Sequence, residues 1–457
     1  MKKYILYMMS LLLIGGCLDI KLEDQYSDPD AIVTTATARE LLASAYNSLP
    51  RYQMELSILS DDFVSTNLSG KYADMQNLYS WQEKGIEQLS DNIWSEYYMT
   101  IAIVNALLPR LELVQTKDEA DKAELAKIRS EAQALKAMCY FDLLRLYGPV
   151  YSKDNLSKEG IIIKNRLELD FLPRSSVEDC VNEIESLLSE AVAVSNDTEV
   201  FYLSTSAIQS LQAEFELYRG NYDKAVNYGL PLLTDAENRW VATEYANLWA
   251  DNASADRLFA PYIFTSFYND LCYDKTIGDY FVLNPDLKYS DSDLRKGWAT
   301  YNIKMNAGEV VTLGKYNRMF YENVSVRYIN TIRYSGVCFT VAEAYALNKQ
   351  PDLAITTINR LLNAYGTEPL DESLSGDALI EAILHEKQKE FAGEGVRLFD
   401  LKRHGKTLVK KGNFGAGTIT TIQPTDYRWL FPIPQSEYKY NDKITQNNPQ
   451  WPFIKTE

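Results

Sequence analysis

The chain has 457 residues, of which 46% are hydrophobic and 24% are charged, and five are cysteines. These proportions are those of a folded globular protein, so they exclude a disordered chain, a fibre and a small disulfide-stapled scaffold. The 63 acidic and 46 basic side chains give a formal net charge of −17, which disfavours a surface that binds the phosphates of nucleic acids.

The N-terminus has the pattern of a bacterial lipoprotein signal. A basic start precedes an apolar run from Tyr4 to Ile14, which is shorter than the roughly 20 residues that span a bilayer. Because Cys17 directly follows two glycines, we predict that residues 1–16 are removed and that Cys17 is acylated, for example by palmitate, with residues 17–30 as a tether. An ordinary signal peptide with a chance cysteine is the alternative. No later apolar run has spanning length, so we expect a protein that is anchored to a membrane by lipid.

Beyond the tether, the sequence predicts a single domain over residues 31–457 that consists mainly of amphipathic helices. The clearest example has apolar residues three and four positions apart, which is the period of one helix face: Ile128, Ala132, Leu135, Cys139, Leu143 and Leu146. Gly148 and Pro149 mark the end of that helix. Helical segments are expected at roughly 31–60, 85–150, 175–235 and 333–402.

Two segments share one layout and predict tetratricopeptide-like pairs of antiparallel helices. They cover 204–234 and 334–365, and each has two alanines twelve positions apart, on either side of a turn. These alanines are Ala213 and Ala225 in the first segment and Ala342 and Ala354 in the second. Small residues let two helices approach closely. An aspartate precedes each second alanine by two positions, and we expect Asp223 and Asp352 to cap the second helix of each pair.

The remaining segments, roughly 61–84, 240–332 and 403–457, predict an irregular, loop-rich half with a few short strands such as Glu309–Leu313. The expected fold is therefore mainly α, a superhelix of helix pairs beside this loop-rich half. The cysteines other than Cys17 are Cys139, Cys180, Cys272 and Cys338. Three of them lie in or beside helical patterns, where free cysteine behaves as a small hydrophobic residue, and the sequence leaves open whether any disulfide forms.

Four segments behind the lipoprotein start resemble, in their order and spacing, the SusD/RagB family of outer-membrane nutrient-binding lipoproteins: Ile128–Val150, Ile332–Ala346, His385–Gly405 and Leu430–Trp451. The last departs from the family pattern by an additional residue, Asn448. The resemblance implies a tetratricopeptide-type superhelix on the outer face of the outer membrane, held there by the lipid on Cys17. It also implies a SusC-type TonB-dependent transporter as partner, oligosaccharide as the captured ligand, and neither catalysis nor a cofactor.

Two other roles remain open at this point. One is RagB-like capture of peptides, and the other is a tetratricopeptide-type scaffold that binds only proteins. An enzyme is not expected, since Glu386 and Glu390 lie one turn apart on one helix face rather than on opposite sides of a cleft. The ion-pair partners expected for these glutamates are Arg397, Lys402 and Arg403.

No metal site is expected. Asp291, Ser292 and Asp293 begin like a calcium loop, but Arg295 stands at the third ligand position and the required glycine does not follow. The two histidines of the chain, His385 and His404, have no neighbours at metal-ligand spacing, and we expect both on the surface.

A glycan site needs exposed aromatic rings for the C–H faces of sugars, and amide or carboxylate groups for their hydroxyls. The 32 tyrosines suit such a surface. Two polar stretches, 61–83 and 264–301, contain these residue types. The candidate ligand-binding residues are Tyr72, Asn77, Tyr79 and Trp81 in the first stretch and Phe267, Tyr268, Tyr273 and Trp298 in the second. The alternative for Trp81 and Trp298 is that they fill the core beneath the loops.

Overall fold

A computed structural model describes residues 32–66, 73–168, 170–191, 199–262, 281–305, 308–316 and 328–451. Over these ranges the chain forms fifteen α-helices and four antiparallel pairs of short strands. The helices are α1 (Thr35–Asn47), α2 (Gln53–Leu59), α3 (Ala73–Tyr79), α4 (Glu83–Arg110), α5 (Glu119–Tyr147), α6 (Val177–Glu190), α7 (Thr205–Tyr218), α8 (Tyr222–Gly229), α9 (Ala242–Leu248), α10 (Lys296–Ala299), α11 (Tyr334–Leu347), α12 (Pro351–Ala364), α13 (Gly376–Phe391), α14 (Arg397–Arg403) and α15 (Gln435–Tyr440). The predicted mainly helical fold is confirmed.

The strands connect distant parts of the chain. They are β1 (Phe63–Ser65), β2 (Arg257–Phe259), β3 (Phe281–Leu283), β4 (Thr300–Met305), β5 (Gly308–Leu313), β6 (Ile332–Arg333), β7 (Leu408–Lys411) and β8 (Thr418–Ile422). β1 pairs with β3, β2 with β6, β4 with β5, and β7 with β8. The predicted strand at 309–313 is confirmed as β5.

The two longest helices, α4 and α5, form the centre of the N-terminal half. α5 begins after Asp118, whose carboxylate accepts a hydrogen bond from the backbone N–H of Asp121 at 2.9 Å, and it ends at Gly148. Its predicted apolar face, from Ile128 to Leu146, is at most 3% exposed and packs among α1, α4 and α6. Burial of each leucine-sized side chain stabilises the fold by about 1.5–3 kcal/mol, so this face fixes α5 in the core.

The two predicted repeats form helix pairs that pack against each other. α7 pairs with α8, α11 pairs with α12, and α8 contacts α11. The four alanines, Ala213, Ala225, Ala342 and Ala354, are all 0% exposed. At the crossing of α8 and α11, a Cβ on Gly229 would lie 2.6 Å from Val341, so the small residue permits the close approach.

The predicted helix caps are wrong. α8 begins after Asn221 and α12 after Gln350, so Asp223 and Asp352 lie inside the first helical turn and do not cap their helices. Asp223 instead accepts a hydrogen bond from the side-chain amide of Asn348 at 2.8 Å, which joins the turn of one repeat to the turn of the other. An acidic residue in the first turn still interacts favourably with the helix dipole.

A set of charged side chains lies in the core where α13 meets β2, β6 and the segment before α10. This buried ion cluster consists of Asp256, Asp293, Arg295, Lys315, Arg333, Glu386, Glu390 and Glu394. Arg333 donates to Glu390 at 2.6 Å and to Glu394 at 2.9 Å, and its side chain is 1% exposed. Arg295 donates to Glu386 at 2.8 Å. Burial raises the pKa of Asp256 to about 6, even though Arg333 lies 3.2 Å away.

Ion pairing of Glu386 and Glu390 is thus confirmed, but the predicted partners are wrong. The turn after α13 redirects the chain, because Gly395 has a φ of +78° and a Cβ there would lie 2.8 Å from the backbone of Gln53. The basic residues of α14 therefore face other groups. Arg397 pairs with Asp61, Arg403 with Glu343, and Lys402 donates to the carbonyls of Leu146 and Gly148.

The histidines and cysteines occupy different environments. His385 is exposed, as predicted. His404 is only partly exposed, since 13% of its side chain is accessible and its Nε2 lies 2.7 Å from the buried carboxylate of Glu343. Cys139, Cys180 and Cys338 are buried free thiols, in line with their hydrophobic role, while Cys272 lies outside the described residues.

Lys410 on β7 is a buried cation beneath the loop-rich half. It is 1% exposed, its Nζ donates to the carbonyls of Ile58 and Ser60 at the end of α2, and it lies 4.0 Å from the ring centroid of Tyr79. Burial lowers the pKa of Lys410 from 10.5 to about 7. The pKa of Lys410 in the folded protein is therefore about 3.5 units below its pKa in the unfolded chain.

We expect the contribution of Lys410 to stability to increase with pH. Between pH 7 and 10.5 the unfolded chain binds the proton and the folded protein does not, so the free energy of unfolding increases through this window, by at most about 1.4 kcal/mol per pH unit. Urea unfolding of the wild type and of Lys410→Met between pH 7 and about 9.5 gives the free energy of unfolding of each protein. The value for the wild type minus the value for Lys410→Met should increase with pH. A constant or decreasing difference would show that the buried lysine remains charged.

Candidate ligand cleft

A cleft of about 390 Å³ opens between α1, the turn before α7 and the end of the β2–β6 pair. Its lining residues are Ala43, Tyr46, Asn47, Phe201, Tyr202, Asp251, Pro261, Tyr262 and Tyr328, which we call the aromatic cleft. Ligand sites in proteins have volumes of roughly 300–1,000 Å³ and are lined by apolar and aromatic groups with a few polar ones. The aromatic cleft has this composition.

One wall of the cleft is built on strands. The β2–β6 ladder continues to an isolated bridge between Tyr262 and Tyr328, whose ring centroids are 4.9 Å apart. The guanidinium of Arg257 lies 4.3 Å from the centroid of the Tyr328 ring. This cation is held in place because it donates to Asn330 at 2.7 Å and to the backbone carbonyl of Asn252 at 2.7 Å. One face of Tyr328 is therefore covered by protein.

The other wall comes from α1 and from the turn that leads into α7. Tyr202 packs against Phe201 at 4.8 Å and against Tyr46 at 5.2 Å between ring centroids. Tyr46 is 5% exposed, and its hydroxyl accepts a hydrogen bond from the N–H of Leu203 and contacts Glu131. Tyr46 thus forms the floor, while Phe201 and Tyr202 are half-buried. Burial raises the pKa of Tyr202, so its hydroxyl stays protonated at neutral pH.

Among the described lining residues, the amide and carboxylate side chains are those of Asn47, which is exposed, and Asp251, which is half-buried. Asp251 has a φ of +58°, a left-handed conformation that aspartate adopts more readily than most residues. Its carboxylate accepts a hydrogen bond from the N–H of Tyr328 at 3.2 Å. Strained backbone of this kind often occurs at binding sites. The arrangement allows aromatic rings to stack on a sugar face while oxygen and amide groups reach its hydroxyls.

The structure places Trp81 and Tyr79 in the core, so neither ring presents a face for stacking. Both are 0% exposed. The indole N–H of Trp81 donates to the carbonyl of Leu59 at 2.8 Å, and its ring packs on Trp429 at 4.8 Å. The Tyr79 hydroxyl donates to the carbonyl of Lys411. The expectation of exposed rings is corrected for these two residues, because α2 and the C-terminal segment cover them.

The other predicted site residues remain predictions. Asn77 is half-buried on α3, and Trp298 is partly buried against the core on α10. Tyr72, Phe267, Tyr268, Tyr273 and the lipidation site Cys17 lie outside the described residues. The predicted stretch 264–301 nevertheless begins two positions after Tyr262, a cleft residue.

The residues of the aromatic cleft were not predicted from the sequence. The one available signal was the pair Phe201 and Tyr202, two adjacent aromatics separated by one residue from the polar N-cap Ser204 of α7. Tyr46 follows the apolar period of α1 and looks like an ordinary core residue.

A second, more enclosed cavity of about 170 Å³ lies between α4, α5, α7 and α14. Its charged side chains are paired within the protein, since Arg145 contacts Glu214 at 2.5 Å and Lys387 contacts Asp400 at 2.8 Å. Polar groups that satisfy one another offer less to a ligand. We therefore take the aromatic cleft as the candidate ligand site.

The two aspartates of the calcium-like stretch 291–293 form ion pairs with basic side chains of the protein. Asp293 is buried and holds Arg295 at 2.7 Å, while the exposed Asp291 contacts Lys296 at 2.5 Å. Across the described part of the chain, His, Cys, Asp and Glu side chains form no group of three or more that could hold a metal ion. None of the described helices combines the length and apolarity needed to cross a bilayer.

Comparison with known proteins gives consistent matches. Residues 204–451 match the model of the SusD family, and residues 21–217 match a model described as starch-binding associating with outer membrane. The chain is similar to SusD-like protein P38 of Formosa agariphila, with 24% identity over 94% of this chain and 97% of that protein.

Solved structures agree in fold. A SusD superfamily protein from Bacteroides thetaiotaomicron has a TM-score of 0.76 at 24% identity, covering 91% of this chain and 100% of that one. Surface glycan-binding protein A from Bacteroides uniformis has a TM-score of 0.70 at 18% identity, covering 91% and 99%. Since the SusD family model alone matches more than half of the 457 residues, this protein belongs to the SusD family.

Proposed function

We propose that this protein is a lipid-anchored binding protein on the outer face of the outer membrane. It captures oligosaccharide in the aromatic cleft and passes it to a TonB-dependent transporter of the SusC type. The lipid on Cys17 holds the protein at the membrane beside the transporter, and residues 17–30 are the tether between the lipid and the folded domain.

The aromatic cleft is the observation that supports this proposal most directly. Two tyrosine-containing walls and one carboxylate surround a volume that accommodates a small ligand. Among similar solved structures, one from Bacteroides vulgatus is a SusD-like carbohydrate binding protein, and the protein from Bacteroides uniformis is a surface glycan-binding protein.

The proposal includes no catalytic step. Glycoside hydrolysis requires two carboxyl groups on opposite sides of a substrate. Glu386 and Glu390 instead hold Arg295 and Arg333 in the core, and Glu390 is 0% exposed. The aromatic cleft has a single carboxylate among its described lining residues.

A binding screen tests the ligand class. The full chain, purified in detergent, is applied to an array of neutral and acidic oligosaccharides and, separately, to pools of peptides. We expect binding to oligosaccharides that calorimetry confirms. Binding to peptides alone would replace the proposal by peptide capture, and binding to neither would refute it.

Membrane fractionation tests the anchor and the partner. Cys17→Ala should make the protein soluble or mislocalised, because the variant lacks the residue that carries the proposed lipid. The wild type should co-purify with a TonB-dependent transporter from detergent-solubilised outer membranes. Unchanged fractionation of Cys17→Ala would refute the lipid anchor, and purification without any transporter would refute the delivery role.

A further inference from the structure

Tyr202, one of the rings that line the aromatic cleft, contacts two residues of α1. The guanidinium of Arg39 lies 5.1 Å from the centroid of the Tyr202 ring. The Tyr46 ring lies 5.2 Å from it between centroids, and the Tyr46 hydroxyl accepts a hydrogen bond at 3.0 Å from the N–H of the next residue, Leu203. The ring of Tyr202 and the backbone beside it are therefore both in contact with α1.

These two α1 residues donate to the same carboxylate oxygen. Arg39 donates to Oε2 of Glu131 on α5 at 2.8 Å, and the Tyr46 hydroxyl donates to that oxygen at 3.3 Å. Arg39 and Tyr46 are about two helical turns apart in α1, so they lie on one face. The Glu131 side chain is 2% exposed, and an ion pair is stronger in such a low-dielectric environment than at the surface.

We propose that Glu131 is a positioning residue for ligand binding, which fixes Tyr202 in the aromatic cleft through Arg39 and Tyr46. This inference rests on the proposed function. Glu131 is not among the described residues that line the cleft, so it acts through the ring rather than by contact with the glycan. A side chain that is already fixed loses less conformational freedom when a ligand binds, so a fixed Tyr202 binds a sugar more tightly than a mobile one.

The test is a double-mutant cycle that combines Glu131→Gln with Tyr202→Ala. Calorimetry on the full chain in detergent measures the Kd of the oligosaccharide that binds most tightly in the array screen. Glutamine keeps the shape of Glu131 but offers no charge to Arg39. We expect Glu131→Gln to raise the Kd about fivefold when Tyr202 is present and to leave it nearly unchanged in the Tyr202→Ala background. An equal effect in both backgrounds, or no effect in either, would overturn the inference.

Glu343→Gln is the matched control. Glu343 is a buried glutamate that pairs with Arg403, and it lies outside the described lining of the cleft. Its replacement should lower the urea midpoint without a change in Kd. Hydrogen exchange at the N–H of Leu203 gives a readout without ligand, and it should be faster in Glu131→Gln than in Glu343→Gln, because local opening does not follow global stability. Equal exchange in the two variants would count against the inference.

Arg39→Lys is the second variant, for use if Glu131→Gln does not fold. Lysine keeps the charge beside Glu131 but lacks the planar group that lies over Tyr202. It should raise the Kd in the same cycle, and a wild-type Kd would overturn the inference while leaving glycan capture intact. Absence of oligosaccharide binding to the wild type would refute the proposed function and this inference together.

Discussion

Arg333→Met is expected to be among the most destabilising single changes in the described part of the chain. Arg333 is 1% exposed at its side chain and pairs with Glu390, Glu394 and Asp256 at 2.6, 2.9 and 3.2 Å. Methionine fills much of the volume but removes the cation that three buried carboxylates share, and among the described ion pairs only Glu394, with Lys315 at 2.6 Å, and Glu390, with Arg295 at 3.8 Å, keep another cation nearby. Removal of one partner from a buried ion pair costs about 3–5 kcal/mol, so the urea midpoint should fall substantially.

Arg129→Met is the control for this change. Arg129 contacts Glu112 at 2.7 Å, but the two side chains are 36% and 72% exposed. An exposed pair contributes about 0–1 kcal/mol, so this variant should remain close to the wild type. The addition of Glu390→Gln to Arg333→Met should recover part of the lost stability, because it removes one of the carboxylate charges that Arg333 neutralised. Equal losses for Arg333→Met and Arg129→Met would show that the buried ion cluster does not hold the core together.

Tyr202→Ala and Tyr328→Ala are expected to weaken glycan binding strongly. Both rings line the aromatic cleft. Loss of a central aromatic contact typically costs about 2 kcal/mol, which corresponds to a roughly 30-fold higher Kd. Calorimetry with the best glycan from the binding screen measures the effect, and circular dichroism shows whether each variant keeps its helices.

Two variants separate stacking from other effects. Tyr202→Phe keeps the ring and should retain most of the affinity. Tyr440→Ala removes a tyrosine that is 68% exposed on α15, outside the cleft, and should bind as the wild type does. Wild-type affinity in both cleft alanine variants would mean that the ligand binds elsewhere.

Much of the fold was predictable because helix periodicity is local. The spacing from Ile128 to Leu146 and the alanines at 213 and 342 specify which helix faces are buried, without knowledge of what covers them. The predicted caps at Asp223 and Asp352 failed because a helix boundary depends on one or two positions, which periodicity does not fix.

The contacts that define the ion cluster and the cleft are not local. Arg333 and Glu390 are 57 positions apart, and Tyr46 and Leu203 are 157 positions apart, so no sequence window contains both partners. The environment of Trp81 also depends on a contact that is distant in the sequence. Its polar neighbours suggested an exposed ring, but the carbonyl of Leu59 on α2, 22 positions earlier, accepts its indole N–H in the core.

A crystal structure of the protein with the best glycan from the binding screen tests the central claim most directly. We predict a sugar ring in the aromatic cleft, in contact with Tyr202 or Tyr328 and with a hydroxyl within hydrogen-bond distance of Asp251. A glycan bound in the cavity between α4, α5, α7 and α14, or on a surface away from the cleft, would contradict the assignment.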